Sequence, residues 1–311
     1  MGSDENFDVV VVGGGPAGLR AAEIVAGSGM EVLVLEAKGG VGEKVCADGL
    51  SRRALDLGYV PNEFHERELR HLRVMKGKKR FEMRSSAPIV VTFDRKGFCQ
   101  WQADQVSDRG GEIRYNSKVK NLLSRSSKVI LDDDSEIGFQ TLIGADGSLS
   151  RVRSLLGLGS ILIRCFQFRT REHFEWIEWG SDVPQLGEGD YYLFPHDDHT
   201  RIGWGSTGYG MFKNRGDLIR GFLEYWNQRN LEIDQGTYES WPIQIAYQGF
   251  RFGNISLVGD AAALPSQKTG EGIYHALVSG EAVGRSIADG QDPFQGRFRE
   301  IIETKVNPDG I

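Results

Sequence analysis

Residues 7–12 form a short, nearly continuous apolar run rich in valine, the pattern of a strand buried on both faces. Residues 17–26 predict a helix, with Leu19, Ala22 and Ile24 among its apolar positions, and 31–35 predict a second buried strand. This strand–helix–strand unit closes in about thirty residues, the size of one βαβ crossover. A glycine-rich loop over 39–50 and a short helix over 52–57 follow. From 69 to 94 the pattern changes to short alternating strands around Leu72 and Val74, around Phe81, and over 89–93. A helix over 95–109 ends at Gly110-Gly111, a helix-stop signal, and strands are predicted over 112–116, 119–124, 128–131 and 141–144. Residues 161–207 are strand-like and rich in aromatics, and 215–228 is an amphipathic helix through Leu218, Ile219, Phe222, Leu223 and Trp226. One more buried strand, 255–258, precedes a long helix over 272–288.

With no internal repeat, this order predicts an α/β protein: a Rossmann-like nucleotide-binding lobe interrupted by an inserted, antiparallel β-rich lobe. Both lobes are then discontinuous in sequence. The first is expected over 1–68, 95–158 and 248–290, the second over 69–94 and 159–247, and 291–311 is expected to be a C-terminal tail.

Composition changes this picture little. The chain has 311 residues, 40% hydrophobic and 26% charged, as in ordinary soluble globular proteins. Its 41 glycines stand out and point to tight turns and close backbone approaches. A formal net charge of −6 argues against nucleic acid as a partner. The local basic stretch Lys76, Lys78, Lys79 and Arg80 reads as a solvated turn between two strands. Cys46, Cys99 and Cys165 are far apart, so neither a disulfide framework nor a zinc site is indicated, and a cytoplasmic setting is expected. No apolar run approaches the roughly 18–20 residues of a membrane span, and the N-terminal run is no signal peptide. Peripheral membrane contact stays open.

Gly13-Gly14-Gly15-Pro16-Ala17-Gly18 fits G-x-G-x-x-G between a strand and a helix. Gly13 permits the tight turn, Gly15 lets the backbone approach a pyrophosphate, and Gly18 packs helix against strand. Free N–H groups at the helix start suit the phosphates. Glu36 ends the second strand, 18 residues after Gly18, where a carboxylate accepts both ribose hydroxyls. The fingerprint predicts a dinucleotide without saying which.

Two later segments have the same physical form, a buried strand ending in glycine and aspartate before a helix start. One is Leu142-Ile143-Gly144-Ala145-Asp146-Gly147-Ser148, running on to Ser150-Arg151-Val152-Arg153. The other is Leu257-Val258-Gly259-Asp260-Ala261-Ala262, with Thr269-Gly270-Glu271-Gly272-Ile273 opening the last helix. In this order and context the three landmarks resemble the p-hydroxybenzoate hydroxylase-like FAD superfamily. Within it the chain is most similar to the geranylgeranyl reductase family: Cys46-Ala47-Asp48-Gly49-Leu50-Ser51 looks like that family's cysteine-and-glycine loop, and 266–279 resembles its P-x-T-G-G-G-I-x-x-A-x-x-S-G segment.

The resemblance implies FAD as cofactor, with contacts carried by position onto Ala17, Glu36, Cys46, Ala47, Gly49, Arg95, Val119, Asp260, Gly272 and Ile273, beside Gly13, Gly15, Gly18 and Asp146. Arg95 comes from the family's R-x-x-F helix start, here Arg95-Lys96-Gly97-Phe98. A strand-end Asp260 suits a ribityl hydroxyl, and N–H groups near Gly272 and Ile273 suit the flavin's pyrimidine edge, where negative charge builds on reduction. The sequence also departs from the family. Ala47 stands where C-G-x-G has its first glycine, and Y-x-W-x-F-P appears as Asp190-Tyr191-Tyr192-Leu193-Phe194-Pro195. Gln267-Lys268 replace small or apolar residues, and the C-terminal helical segment many members carry is expected to be missing.

The activity implied is reduction of carbon–carbon double bonds in an isoprenoid chain. An isolated prenyl double bond has no carbonyl to stabilise a carbanion, so protonation must lead or accompany hydride transfer in a dry site. Cys46 is the candidate acid or polar contact, set against a small buried hydrophobe. Tyr191, Tyr192, Phe194, Trp204 and Tyr209 either line an apolar tunnel or form an ordinary sheet core. His275 either touches substrate or packs locally, and His196 and His199 read as a solvated polar turn rather than a metal site. The expected partners are a hydrophobic or lipid substrate and an electron donor, ferredoxin or NAD(P)H. The alternatives left open are a monooxygenase hydroxylating an aromatic substrate with NAD(P)H and oxygen, and a flavin electron carrier without catalysis.

Overall fold

The computed structural model describes residues 5–184, 186–206 and 215–306; Tyr209 and residues 307–311 lie outside the described residues. The chain divides into two compact units, one of Met1–Glu43, Arg95–Leu162 and Ile243–Ile311, the other of Lys44–Asp94 and Ile163–Pro242.

The first unit is built on a sheet whose strands run in the order Arg251–Phe252, Ile255–Leu257, Glu136–Gly144, Glu5–Val12, Val32–Leu35 and Glu112–Arg114. The four central neighbours and the last pair are parallel, and Lys128–Leu131 and Val119–Leu123 add an antiparallel hairpin to Glu136–Gly144. Val9, Val10 and Val11 are fully buried, as strands covered on both faces require. The helices Pro16–Gly27 and Ile273–Ala288 pack closely because Gly280 carries no side chain; a methyl group there would overlap the Ala17 carbonyl.

The expected C-terminal tail is instead a helix over Gly296–Val306. Phe298, Ile301 and Ile302 are buried, and the Phe298 ring meets Phe250 edge-on at 4.9 Å. Their i, i+3, i+4 spacing is a helical apolar stripe that the polar residues around it conceal.

The second unit carries a sheet in the order Asp234–Ser240, Leu162–Thr170, Thr200–Ser206, Asp190–Pro195, Ile177–Ser181, His71–Lys76 and Lys79–Arg84. Pairing is antiparallel except between Ile177–Ser181 and His71–Lys76. The helix Arg215–Gln228 covers one face, where Leu218, Phe222 and Trp226 pack against Phe166, Phe168, Tyr191, Leu193, Ile202 and Trp204. Under it a buried Glu178 pairs with Arg229 at 2.6 Å and accepts from the Tyr191 hydroxyl at 2.9 Å.

A small second sheet places Gly49–Ser51 and His65–Leu69 on either side of Val90–Phe93. Residues 44–68, expected in the nucleotide lobe, therefore belong with the second unit. The pairing with 90–93 helps to fix that, and pairing of distant segments is not visible in a local pattern.

Candidate active site

The strand ends of the first unit create its site. Val12 is in register with Leu35 and with Gly144, and Gly144 with Leu257, so four separate segments reach one sheet edge together. Backbone bonds lock these ends: Gly13 N donates to Leu35 O at 2.8 Å, Ala145 N to Val12 O at 2.8 Å, and Val258 N to Gly144 O at 3.0 Å. Gly13, Glu36, Ala145-Asp146 and Gly259-Asp260 thus follow side by side at the carboxyl edge, where open α/β sheets bind ligands.

Gly13 has φ +108, and a Cβ there would lie 2.5 Å from the Ala145 carbonyl oxygen. At Gly18 a Cβ would come within 2.9 Å of the Ala145 side chain. Over Gly15, by contrast, there is open space. Gly15 N-caps the Pro16–Gly27 helix with no side-chain cap, leaving the first-turn N–H groups to an anion. Glu36 accepts from Gly14 N at 2.7 Å and Lys38 N at 2.9 Å, which fixes the carboxylate while each oxygen keeps a further lone pair. These groups fit the pyrophosphate and ribose of a dinucleotide.

Asp146 caps the helix that follows it. Its oxygens accept from the Ser150 hydroxyl at 2.5 Å, Arg151 N at 2.6 Å and Val152 N at 3.1 Å, starting the helix Arg151–Leu155. Burial pushes its carboxyl up, and these hydrogen bonds oppose that. Through this cap Asp146, expected as a cofactor-binding position, sets the backbone beside Gly13. Within that helix the buried Arg153 guanidinium donates to Gly159 O at 2.7 and 2.9 Å, to Ala261 O at 3.2 Å, and to Ala246 O. Arg153 thereby ties three segments of the site together.

Asp260 accepts from the Ser148 hydroxyl at 2.9 Å, and a Cβ on Gly272 would sit 3.5 Å from its Oδ1. Gly272 N-caps Ile273–Ala288 without a side-chain cap, so a carboxylate and a helix start without a side-chain cap lie together. His275 is buried in the first turn of this helix, its ring edge-on to Tyr274 at 5.3 Å. Lys305 Nζ donates to Pro265 O, and burial lowers its pKa to about 8 against the pull of Asp260. Ala17 is buried beneath Gly259 and Gly280, Val119 is buried at a strand start, and Arg95 is buried at the start of Arg95–Asp108.

In the second unit, three side chains hold the Cys46 loop. Arg201 Nη1 donates to Cys46 O and pairs with the Asp48 carboxylate at 2.6 Å. His196 bonds Ala47 O through Nε2 at 3.1 Å and Glu66 through Nδ1. Phe194 lies against Gly49, where any Cβ would overlap its ring. His196 is 1% exposed, which corrects the expectation of a solvated turn. Alternation carried the signal: Tyr192, Phe194 and His196 are two apart and share a face. Tyr192 donates to Gln167 Oε1 at 2.8 Å, and burial, with Cys165 and Cys46 nearby, pushes its phenol well up.

Trp204, expected among substrate-lining residues, is corrected. It is 1% exposed and stacks on Phe166 at 5.7 Å in the core under the helix, as does Tyr191 on the same face. Tyr192 and Phe194 point to the opposite face. Among the described residues no group of three or more His, Cys, Asp or Glu is disposed to hold a metal ion, and no helix is long and apolar enough to cross a membrane.

Known proteins resemble this chain over most of its length. The model of the pyridine nucleotide-disulphide oxidoreductase family matches residues 7–175, more than half of the chain. The chain belongs to that family. It is an oxidoreductase with FAD as its cofactor. Over 96% of its length the chain is 26% identical to a digeranylgeranylglycerophospholipid reductase of Methanosarcina acetivorans, covering 80% of it. It is 28% identical to a second such reductase from Methanopyrus kandleri, over 91% of this chain and 77% of the relative. In fold it matches a geranylgeranyl bacteriochlorophyll reductase-like protein from Thermoplasma acidophilum, with a TM-score of 0.81 and 22% identity over 98% of this chain and 84% of the other. A p-nitrophenol 4-monooxygenase from Pseudomonas putida shares the fold at a TM-score of 0.73 and 18% identity, over 97% and 84% of the two chains.

Proposed function

We propose that this oxidoreductase saturates carbon–carbon double bonds of a geranylgeranyl-type isoprenoid lipid. The observation that carries the reading is its similarity, over nearly its whole length, to digeranylgeranylglycerophospholipid reductases. Bound and reduced, FAD supplies the hydride for one alkene carbon; a proton completes the other, so each double bond gains two hydrogen atoms.

The chain's own residues supply the rest. Gly13, Gly15 and Gly18 with the Pro16 helix start hold the pyrophosphate, and Glu36 the ribose. Asp260 takes the ribityl chain, and the open N-terminus at Gly272 and Ile273 stabilises negative charge on the reduced ring. Cys46 is the proton source, held by the carbonyl clamp of Arg201 and His196. Tyr192 and Phe194 form the apolar wall for the isoprenoid. The electron donor is ferredoxin or NAD(P)H.

The test needs neither donor. Anaerobic chemical reduction of the holoprotein followed by a geranylgeranyl lipid is expected to reoxidise the flavin, with product heavier by two hydrogens per reduced bond. A flavin that stays reduced, with oxygen-dependent hydroxylation of an aromatic substrate in the presence of NAD(P)H, overturns the reading. That outcome supports the monooxygenase alternative, which the polar Gln167 and Arg201 on the Tyr192 face favour.

A further inference from the structure

The hairpin His71–Lys76 and Lys79–Arg84 forms the outer edge of the second unit's sheet. Register shows what it shares with the rest. Gly203 faces Tyr192, Tyr192 faces Trp179, Trp179 faces Val74, and Val74 faces Phe81. A neighbouring row runs from Ile177 through Leu72 to Met83. Registered partners point to the same side of a sheet, so both rows lie opposite the Arg215–Gln228 helix, on the Tyr192 face.

Along the hairpin this face is open. Phe81 is 58% exposed, Met83 51% and Val74 36%. Edge strands are commonly guarded by charge, yet here two large apolar side chains stand out among the charges. At the turn, where Gly77 takes φ +56, Lys76, Lys78 and Lys79 are exposed, and none has a carboxylate at ion-pair distance among the described residues. Glu82, the hairpin's acid, is on the other face and engaged by Arg73 at 3.0 Å and Arg80 at 3.5 Å. The surface is apolar in the middle and basic at its tip, on a chain whose net charge is −6.

We propose that this hairpin docks the protein on an anionic lipid bilayer. Phe81, Met83 and Val74 enter the headgroup boundary, and Lys76, Lys78 and Lys79 engage lipid phosphates. Neither signal suffices alone, since stable peripheral attachment takes an apolar and an electrostatic contribution together. The overall acidity repels the rest of the molecule from such a surface, so attachment is oriented through the hairpin. The proposal deepens the lipid-substrate reading and rests on it for its purpose: the docked face is the one that carries Tyr192.

Co-sedimentation of the FAD-loaded full chain with vesicles tests this. Phosphatidylglycerol–phosphatidylcholine vesicles are expected to bind it, less so as salt rises, and pure phosphatidylcholine vesicles only weakly. Lys76→Glu, Lys78→Glu and Lys79→Glu combined should weaken binding on the order of 100-fold, from the contribution of each basic residue near an anionic surface. Phe81→Ser with Met83→Ser should weaken it independently, and all five sites are exposed, so flavin content and circular dichroism stay unchanged. Absence of binding to anionic vesicles, or equal binding by the lysine variant, overturns the proposal. So does concentration-dependent self-association that Phe81→Ser abolishes, which would make a second copy the occupant. Turnover of a detergent-dispersed isoprenoid separates the two readings: a wild-type chain that binds vesicles but reduces no isoprenoid sinks the proposed function and leaves the docking intact.

Discussion

Arg201 and Asp48 form an ion pair of 2.6 Å within the second unit, and the same Arg201 Nη1 donates to the carbonyl of Cys46. Asp48 is itself in the left-handed region, at φ +51, so the clamp holds a loop that would relax without it. Arg201→Gln leaves a buried carboxylate unpaired, a loss of about 3–5 kcal/mol in comparable buried pairs. Thermal unfolding should show a large loss for the single variant and a smaller one for Arg201→Gln combined with Asp48→Asn. Equal losses would mean that the two charges are not coupled.

Glu36→Ala is expected to lower FAD affinity about tenfold to a hundredfold, the weight of hydrogen bonds to a charged acceptor. Flavin retained after gel filtration gives the readout. Retention at the wild-type level removes Glu36 from the ribose.

The two faces of the second unit's sheet make opposite expectations. Trp204→Leu opens space in the core beside Phe166 and Phe222 and should cost about 2–4 kcal/mol while leaving KM unchanged. Tyr192→Phe should move stability far less and alter KM. A shift in KM from Trp204→Leu alone would reverse the assignment of faces.

Lys305 gives a pH signature. Burial holds its folded pKa at about 8, below the ordinary 10.5, so the unfolded chain binds the extra proton between these values. Stability must then rise with pH from about 8 to 10.5, because the unfolded state carries more protons there. Lys305→Met should lose this rise and be relatively stabilised below pH 8. The difference in Tm between the two proteins across that window is the measurement, and parallel curves would refute the assignment.

Much of the first unit is legible in the amino-acid sequence. Its valine runs, glycine fingerprint and Asp146 and Asp260 segments each have a local cause, and each lands at the same sheet edge. Asp146 shows the limit: position marks it, but only the bonds from Ser150, Arg151 and Val152 reveal a cap. The second unit is less legible because its identity lies in pairings. Gly49–Ser51 joins it through Val90–Phe93, and the Cys46 loop is held by Arg201, 155 residues away. The aromatic segment 190–204 hides two faces that alternation separates only once a register is known. The C-terminal helix escapes notice because three apolar residues among charged ones look like a tail until Phe250 is found beneath them.

The sheet edge where Val12, Leu35, Gly144 and Leu257 end together also sets an order on biosynthesis. A ribosome releases Gly13 and Glu36 early, yet Ala145 and Asp260 complete their surroundings only after most of the chain has emerged. Such long-range closure is slow, and the nascent N-terminal strands wait with their apolar faces unpaired. Cofactor capture is therefore a late event in the life of the chain, and free FAD during synthesis should speed its escape from chaperones only after residue 260 is made.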